Sequence, residues 1–329
     1  MALHKKSQIV VISSQQDGHV DFVRPHLPTS ASITVVDPSK LLEGQDITYE
    51  ISGGSLAAYY DRRKLGNVVS VWYRKPPKFE AAALPVPQTF RRYSQSALET
   101  HAKALSVLFP GALWVSDYFA MLRAEQKPAQ LAAALRLGFN VPPAVFTSSA
   151  AAAQTFMQKF PAVIVKPQAR YFPPSEPPAV RSFFATKIRR GEPLDLSGLH
   201  LAPAIFQQAI DAAADIRVTV VGAEVFAARI TTHGQHKHSK TRDWRIGHFK
   251  GSLQIQPYRL PQDIADKCLR LVRHFGLQYS AMDFVLDTQG QLWFLESNAN
   301  GQWAFIEEAT KQPIGKALAR LLARGKEIL

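Results

Sequence analysis

The chain has 329 residues, and its 39 Lys and Arg outweigh 26 Asp and Glu to give a formal charge of +13. At 46% hydrophobic and 20% charged, it carries enough apolar surface for two or three packed subdomains, which excludes disorder over most of its length. No apolar run approaches the roughly 18 residues of a membrane span, and no zinc-finger spacing, aromatic RNA-binding signature or compact basic block accompanies the charge, so neither a membrane nor a nucleic-acid partner is expected.

In chain order, the residues from Met1 to Lys6 lead straight into Gln8-Ile-Val-Val-Ile12, with none of the apolar stretch of a signal peptide. That run and Ile33-Thr-Val-Val36 read as buried strands, with a short helix over Val20 to Leu27 between them. Val68 to Tyr73 is a further strand, stopped by Pro76-Pro77. Ser94 to Leu108 is helical, with Ala97, Ala104, Leu105 and Leu108 on its apolar face. These elements make an N-terminal α/β domain over 1–118.

A second unit is expected over 119–203. Lys127-Pro128 opens a helix over Ala129 to Leu137, since proline suits a first turn, and Gly138 closes it. Val145-Phe-Thr is a strand, Ser148 or Ser149 caps a helix over Ala150 to Lys159, and Ala162 to Lys166 is a strand. Ala169 to Pro178 reads as a loop. The third unit, 204–329, starts with the strand Ala204 to Gln207. A hairpin pairs Arg217–Val221 with Glu224–Ile230 around Gly222-Ala223. Thr231 to Trp244 is polar and loop-like. Pro261 to Phe275 is an amphipathic helix in which Cys268 falls at helical spacing with Ile264, Leu271 and Val272 and reads as a core residue. A single cysteine excludes an internal disulfide framework, so a cytoplasmic setting is expected. A second hairpin joins Ser280–Asp287 to Leu292–Asn298 around Thr288-Gln-Gly290, and Pro313 to Leu322 is a closing helix.

The second hairpin holds the residues with the clearest chemistry. Strand alternation turns Asp283 away from Met282 and Phe284, and puts Glu296 and Asn298 on one face. A turn over Thr288–Gln291 sets Asp283 opposite Glu296. Two adjacent carboxylates repel unless a cation sits between them, and hard oxygen ligands of this kind suit Mg²⁺; the competing reading is an acidic pair on a solvated sheet face. Lys166, at the end of an apolar strand, is either a surface charge or a phosphate ligand. Lys127 stands at a helix N-terminus, where the macrodipole disfavours a cation unless an anion joins it. Arg217 and Arg229 sit on the two arms of the first hairpin.

These pieces occur in the order used by the ATP-grasp family. Phe294-Leu-Glu-Ser-Asn-Ala-Asn-Gly-Gln-Trp303, with Ile306-Glu-Glu-Ala-Thr310 and Pro313-Ile314, resembles the ATP-grasp maturases of microviridin-type peptides, the graspetide synthetases. Val71-Trp-Tyr-Arg-Lys-Pro76, Lys127-Pro-Ala-Gln-Leu131, Gly138-Phe-Asn-Val-Pro142 and Asp243-Trp-Arg245 resemble the same group. The resemblance implies a mixed α/β (α+β) ATP-grasp fold, in which an N-terminal α/β domain precedes two subdomains enclosing ATP. It also implies ATP and Mg²⁺ as cofactors. Lys127 and Lys166 would contact phosphates. Gln207, Gln208, Ala209 and Ile210 would receive adenine largely through their backbone, and Asp215 the ribose. Asp283, Glu296 and Asn298 would hold magnesium. Arg217 and Arg229 would face the transferred phosphate or the acceptor carboxylate, and Arg74, Asp243 and Arg245 would place the peptide substrate. Two features depart from the pattern: Gln168 to Val180 has no glycine where a phosphate-covering loop is expected, and Arg229 to Trp244 carries His233, His236 and His238. The histidines suit either a basic loop near an acidic substrate or a transition-metal site.

The implied reaction activates a substrate carboxylate as an acyl phosphate, and a hydroxyl or amine of the same ribosomally made precursor peptide then forms an ester or amide crosslink. A peptide with an acidic core suits a chain of this charge, and the family likeness implies a homodimer. Two other readings are an amino-acid ligase resembling the ribosomal-protein glutamate ligases and a non-catalytic peptide-binding protein of the same fold.

Overall fold

The computed structural model describes residues 6–168, 185–232 and 253–325. The expected loop over 169–178 and the His-rich insert, with His233, His236, His238, Asp243 and Arg245, lie outside the described residues.

The N-terminal domain is built from β1 (Ser7–Ile12), α1 (Gly18–Val23), β2 (Ala31–Val36), β3 (Ile47–Ser52), β4 (Ser55–Tyr60), β5 (Arg63–Lys64), β6 (Val68–Tyr73), α2 (Arg91–Lys103) and β7 (Leu113–Val115). Four parallel strands form its sheet in the order β2-β1-β6-β7. Ile9 to Ile12 are buried on both faces, which is why the run is apolar without alternation. A separate antiparallel sheet, β3-β4-β5, has no counterpart in the sequence reading. Its strands expose Ile51 and Leu56, and exposed strands give a weak apolar pattern. The helix expected to reach Leu108 stops at Lys103, and a 3₁₀ turn then buries Leu105.

The chain continues through α3 (Tyr118–Ala124), α4 (Lys127–Arg136), β8 (Ala144–Thr147), α5 (Ala150–Met157), β9 (Ala162–Pro167), β10 (Thr186–Arg189) and β11 (Ala204–Gln208). Asp117 caps α3, Pro128 lies in the first turn of α4, and the Ser149 hydroxyl caps α5 by accepting from the Ala152 N–H. The central sheet runs β10-β9-β11-β8, with β11 antiparallel to both neighbours. The strand expected to open the C-terminal unit therefore belongs to the central sheet. Conversely, α3 and α4, expected in the central unit, bury Ala120, Met121, Leu131 and Ala134 against Ile216, Val218 and Phe284 of the C-terminal half. A smaller core of Ala153, Val163, Ile188, Leu199 and Phe206 serves the central sheet and α5.

The last third comprises β12 (Ala212–Val221), β13 (Glu224–Thr232), β14 (Leu253–Pro257), α6 (Gln262–His274), β15 (Tyr279–Asp287), β16 (Leu292–Asn298), α7 (Ala304–Thr310) and α8 (Ile314–Arg324). Its antiparallel sheet has the order β14-β13-β12-β15-β16. One face packs on α3, α4 and α6, with Cys268 fully buried among Ile264, Leu271 and Val272 as expected; burial pushes its thiol pKa up to about 12. At one end the other face packs on Trp303, α7 and α8, which also cover Ile9, Val11 and Trp72 of the N-terminal sheet. Among the described residues no helix is long and apolar enough to cross a membrane.

Candidate active site

The other end of that second face carries the residues expected to bind metal and phosphate. Arg217 on β12 lies opposite Asp283 on β15, and Asp283 lies opposite Glu296 on β16. Directly opposed residues share a face, as do residues two apart, so Asp215, Arg217, Asp283, Glu296 and Asn298 all project from one side of the sheet. The register has an unexpected origin. Asp287 ends β15 with its N–H donating to Gln291 O, which tightens the turn to 288–290, and Phe284 pairs with Phe294, which leaves Leu295 as a bulge before Glu296 meets Asp283. Without the bulge Glu296 would follow Phe294 onto the core face. Bulges near functional sites commonly re-aim a side chain in this way.

Each acid is held by a cation. Arg217 Nη1 donates to Asp283 Oδ1 at 2.5 Å, and Lys127 Nζ to Glu296 Oε2 at 2.9 Å. Asn298 Nδ2 donates to Glu296 Oε1 at 3.2 Å and lies 3.5 Å from Asp283 Oδ2. Asp283 and Arg217 are buried, so their charges are poorly screened. Among the described residues no group of three His, Cys, Asp or Glu gathers. Two carboxylates and one amide fit Mg²⁺, which takes few protein ligands and leaves its other positions to phosphate and water. In that role Asn298 would turn its carbonyl oxygen inward.

On the central sheet, Lys166 Nζ donates to the side-chain oxygen of Gln207 at 2.8 Å. Both residues lie on the side opposite the Phe206 core, the side from which Phe146 packs against the C-terminal core. Gln207 to Ile210 carry the chain from β11 towards β12, where an adenine-binding linker was expected. The Gln208 and Ala209 N–H groups already donate to Pro143 O and Ala162 O, so the expectation narrows to their carbonyls.

Two expected site residues are placed elsewhere. Arg229 lies opposite Ile216, on the helix-covered face, and its side chain is exposed; alternation separates it from Arg217. Arg74 is 2% exposed and bonds to other parts of the chain. Its Nε donates to Asp17 Oδ2 at 3.1 Å and its Nη1 to Asn300 Oδ1 at 3.2 Å, and Asn300 Nδ2 returns a bond to Arg74 O.

Arg74 thus belongs to a buried bridge that composition and spacing did not show. Trp303 N–H donates to His19 Nε2 at 3.3 Å, which leaves His19 Nδ1 to donate to Asp17 Oδ1 at 2.9 Å. Burial holds the His19 imidazole below its ordinary pKa, outweighing the pull of Asp17. Burial also disfavours the Asp17 carboxylate, but hydrogen bonds from His19, Arg74 and Ser13 and the Arg74 charge hold it well below the usual range. Beyond Asn300, the backbone lies so close to β15 that a Cβ on Gly301 would collide with that of Ala281 and sit 3.3 Å from Arg217 Nη2. Arg217 Nη2 in turn donates to Gln302 O at 3.0 Å. The segment Asn300-Gly-Gln-Trp303 therefore joins the N-terminal domain to the arginine on Asp283. Its glycine was visible in the sequence; Asp17 as a helix cap just before His19 was the only local signal for the other end.

This architecture is the ATP-grasp fold. Residues 193–322 match the family model described as the RimK-like ATP-grasp domain. Solved structures extend the likeness to nearly the whole chain. A RiPP-associated ATP-grasp ligase from Chryseobacterium gregarium, in complex with ADP and a leader and core peptide, is 22% identical with a TM-score of 0.87, covering 97% of both chains. The macrocyclase MdnC from Microcystis aeruginosa MRC, bound with precursor peptide MdnA, is 23% identical with a TM-score of 0.78, covering 97% of this chain and 99% of that one. D-alanyl-alanine synthetase A from Vibrio cholerae shares the fold at 12% identity and a TM-score of 0.59, covering 97% of this chain and 98% of the other. No curated protein matches the chain.

Proposed function

We propose that this chain is an ATP-dependent peptide macrocyclase, which activates a side-chain carboxylate of a ribosomally made precursor and closes it onto a hydroxyl or amine of the same peptide. The observation that carries the reading is the row Arg217–Asp283–Glu296 on one sheet face, with Lys127 at its edge. It combines two hard-oxygen ligands with two cations, the set that phosphoryl transfer needs for charge neutralisation. The likeness favours a peptide ligase, since at equal coverage the TM-score is 0.87 to the peptide-bound ligase and 0.59 to D-alanyl-alanine synthetase A.

In this mechanism Lys127 and Lys166 hold the ATP phosphates, the Gln208 and Ala209 carbonyls face the adenine amino group, and Asp215 meets the ribose. Mg²⁺ held by Asp283, Glu296 and Asn298 would offset charge on the transferred phosphoryl group. Arg217, fixed between Asp283 and Gln302, faces that group and orients the acceptor carboxylate. A carboxylate oxygen attacks the γ-phosphorus, the bond to ADP breaks, and an acyl phosphate forms. A Ser or Thr hydroxyl or a Lys amine then attacks the acyl carbon and phosphate leaves with its electron pair. The net change in the peptide is loss of one water per crosslink. The +13 charge favours encounter with an acidic core. Alternation puts Arg229 on the other face, and Arg74 is part of the bridge to Asp17 and Asn300.

The test is mass spectrometry of an acidic precursor peptide encoded beside the gene, incubated with the protein, ATP and Mg²⁺. Loss of one water per crosslink supports cyclisation. Gain of amino-acid residues would replace it with the ligase reading that the RimK-like match over 193–322 favours. An unchanged mass with intact ATP binding would leave a peptide-binding protein.

A further inference from the structure

β16 is an edge strand, so the outward N–H and C=O of Ser297 have no neighbouring strand to pair with. Gln130 on α4 satisfies both. Its Nε2 donates to Ser297 O at 2.8 Å and its Oε1 accepts from the Ser297 N–H at 3.0 Å. The same Nε2 donates to Ala124 O at the end of α3, and Gln130 is 3% exposed. On the inner side, the Ser297 hydroxyl shares a 2.7 Å bond with that of Ser280 on β15. Ser297 is therefore held from two directions, its peptide groups by Gln130 and its side chain by Ser280. The residues on either side of it are Glu296 and Asn298, and Lys127, which reaches Glu296, stands three positions before Gln130 on the same helix.

We infer that Gln130 is a positioning residue: by locking the Ser297 peptide it keeps Glu296 and Asn298 at the spacing a divalent cation requires, and it keeps Lys127 in reach of the same carboxylate. The inference rests on the magnesium-nucleotide reading above. Groups that orient metal ligands commonly change metal affinity by about tenfold or more when removed. An apolar residue at 130 would leave the Ser297 N–H and C=O without partners and free the strand edge to shift.

The experiment is calorimetric titration of the full chain with ADP, once with Mg²⁺ and once with EDTA, for the wild type, Gln130→Met, Gln130→Asn, Glu296→Gln and Leu131→Ala. Leu131 lies next to Gln130, is buried in the core between α4 and the C-terminal sheet and, with an apolar side chain, offers Ser297 no hydrogen bond, so it reports plain destabilisation. The expected result is that Gln130→Met weakens ADP binding with Mg²⁺ about tenfold and leaves binding in EDTA unchanged, while Leu131→Ala changes neither. Gln130→Asn, one methylene too short to reach Ser297, behaves the same way and decides the matter if the methionine variant does not fold. Equal losses with and without Mg²⁺, or no loss where Glu296→Gln shows one, would overturn the role of Gln130. A wild type whose ADP binding ignores Mg²⁺ would overturn the underlying reading and this inference together.

Discussion

Lys127 donates to Glu296 across 2.9 Å, so the cation expected to meet phosphate is paired with a carboxylate expected to meet magnesium. The pair also answers the cost of placing a lysine at a helix N-terminus, since Glu296 supplies the missing anion. Metal and lysine would compete for one carboxylate, and a metal-bound Glu296 would release Lys127 towards phosphate. Lys127→Met should therefore have opposite effects on two ligands. Mg²⁺ alone should raise the melting temperature of the variant more than that of the wild type, because Glu296 loses its cationic partner. Affinity for ADP with Mg²⁺ should fall several-fold. Thermal shift with each ligand checks both, and a parallel loss of both responses would refute the competition.

Gly301→Ala tests whether the 300–303 segment sets the arginine. The new methyl would meet Ala281 Cβ, which is fixed to the backbone of a central strand and has no rotamer to yield, as well as Asn298 Cβ at 3.3 Å. Relief has to come from the loop, which would carry Gln302 O away from Arg217. Overpacking of this kind typically costs about 1–3 kcal/mol. The expected outcome is a modest drop in stability by urea denaturation with a much larger drop in kcat for crosslinking. A stability loss with unchanged kcat would show that the loop does not orient Arg217.

The hairpin carrying Asp283 and Glu296 was legible because its apolar residues mark both strands, but the register agreed through two compensating features. The turn is shorter than the expected Thr288–Gln291, because Asp287 pairs with Gln291, and the Leu295 bulge restores the offset. Alternation cannot reveal a bulge, because nothing in the residue types requires one. Arg217 and Arg229 looked equivalent as hairpin arginines; only the register, with Ile216 opposite Arg229, separates them onto two faces. Arg74 was expected to place the substrate because its motif, Val71-Trp-Tyr-Arg-Lys-Pro76, resembles that of the peptide maturases. Its partner Asn300 is 226 positions away, a distance at which local reading has no purchase. Gln130 could be quoted from the sequence, yet its work on Ser297 depends on α4 packing against the edge of β16.

Stability should depend on pH through the buried bridge. His19 is held below its ordinary pKa by burial, so at moderately acidic pH the unfolded chain binds a proton that the fold refuses, and stability falls as pH drops below about 6.5. Asp17, despite the upward push of burial, is held well below the usual carboxylate range by its hydrogen bonds and by Arg74. Its contribution has the same sign and is lost as pH falls below about 4. A protonated His19 would also point an N–H at the Trp303 N–H. Melting temperatures measured from pH 8 to 5 should decline at the acid end. His19→Gln, which keeps a neutral donor and acceptor, should flatten that decline; an unchanged slope would assign it to other groups.

The two hairpin arginines give the sharpest contrast. Arg217 is buried and paired with Asp283, so Arg217→Ala leaves a carboxylate without its cation in a poorly solvated place, a change that typically costs about 3–5 kcal/mol. It also removes the group proposed to meet the transferred phosphoryl, and crosslinking should vanish even where protein folds. Adding Mg²⁺ should restore part of the lost stability, because the cation can take over the charge of Asp283. Arg229 is exposed on the other face, and Arg229→Ala should stay within about 0.5 kcal/mol of the wild type with crosslinking retained. Denaturant midpoints with and without Mg²⁺, together with single-turnover crosslinking, check both variants. Loss of crosslinking in a stably folded Arg229→Ala would return that residue to the catalytic set and refute the assignment of faces.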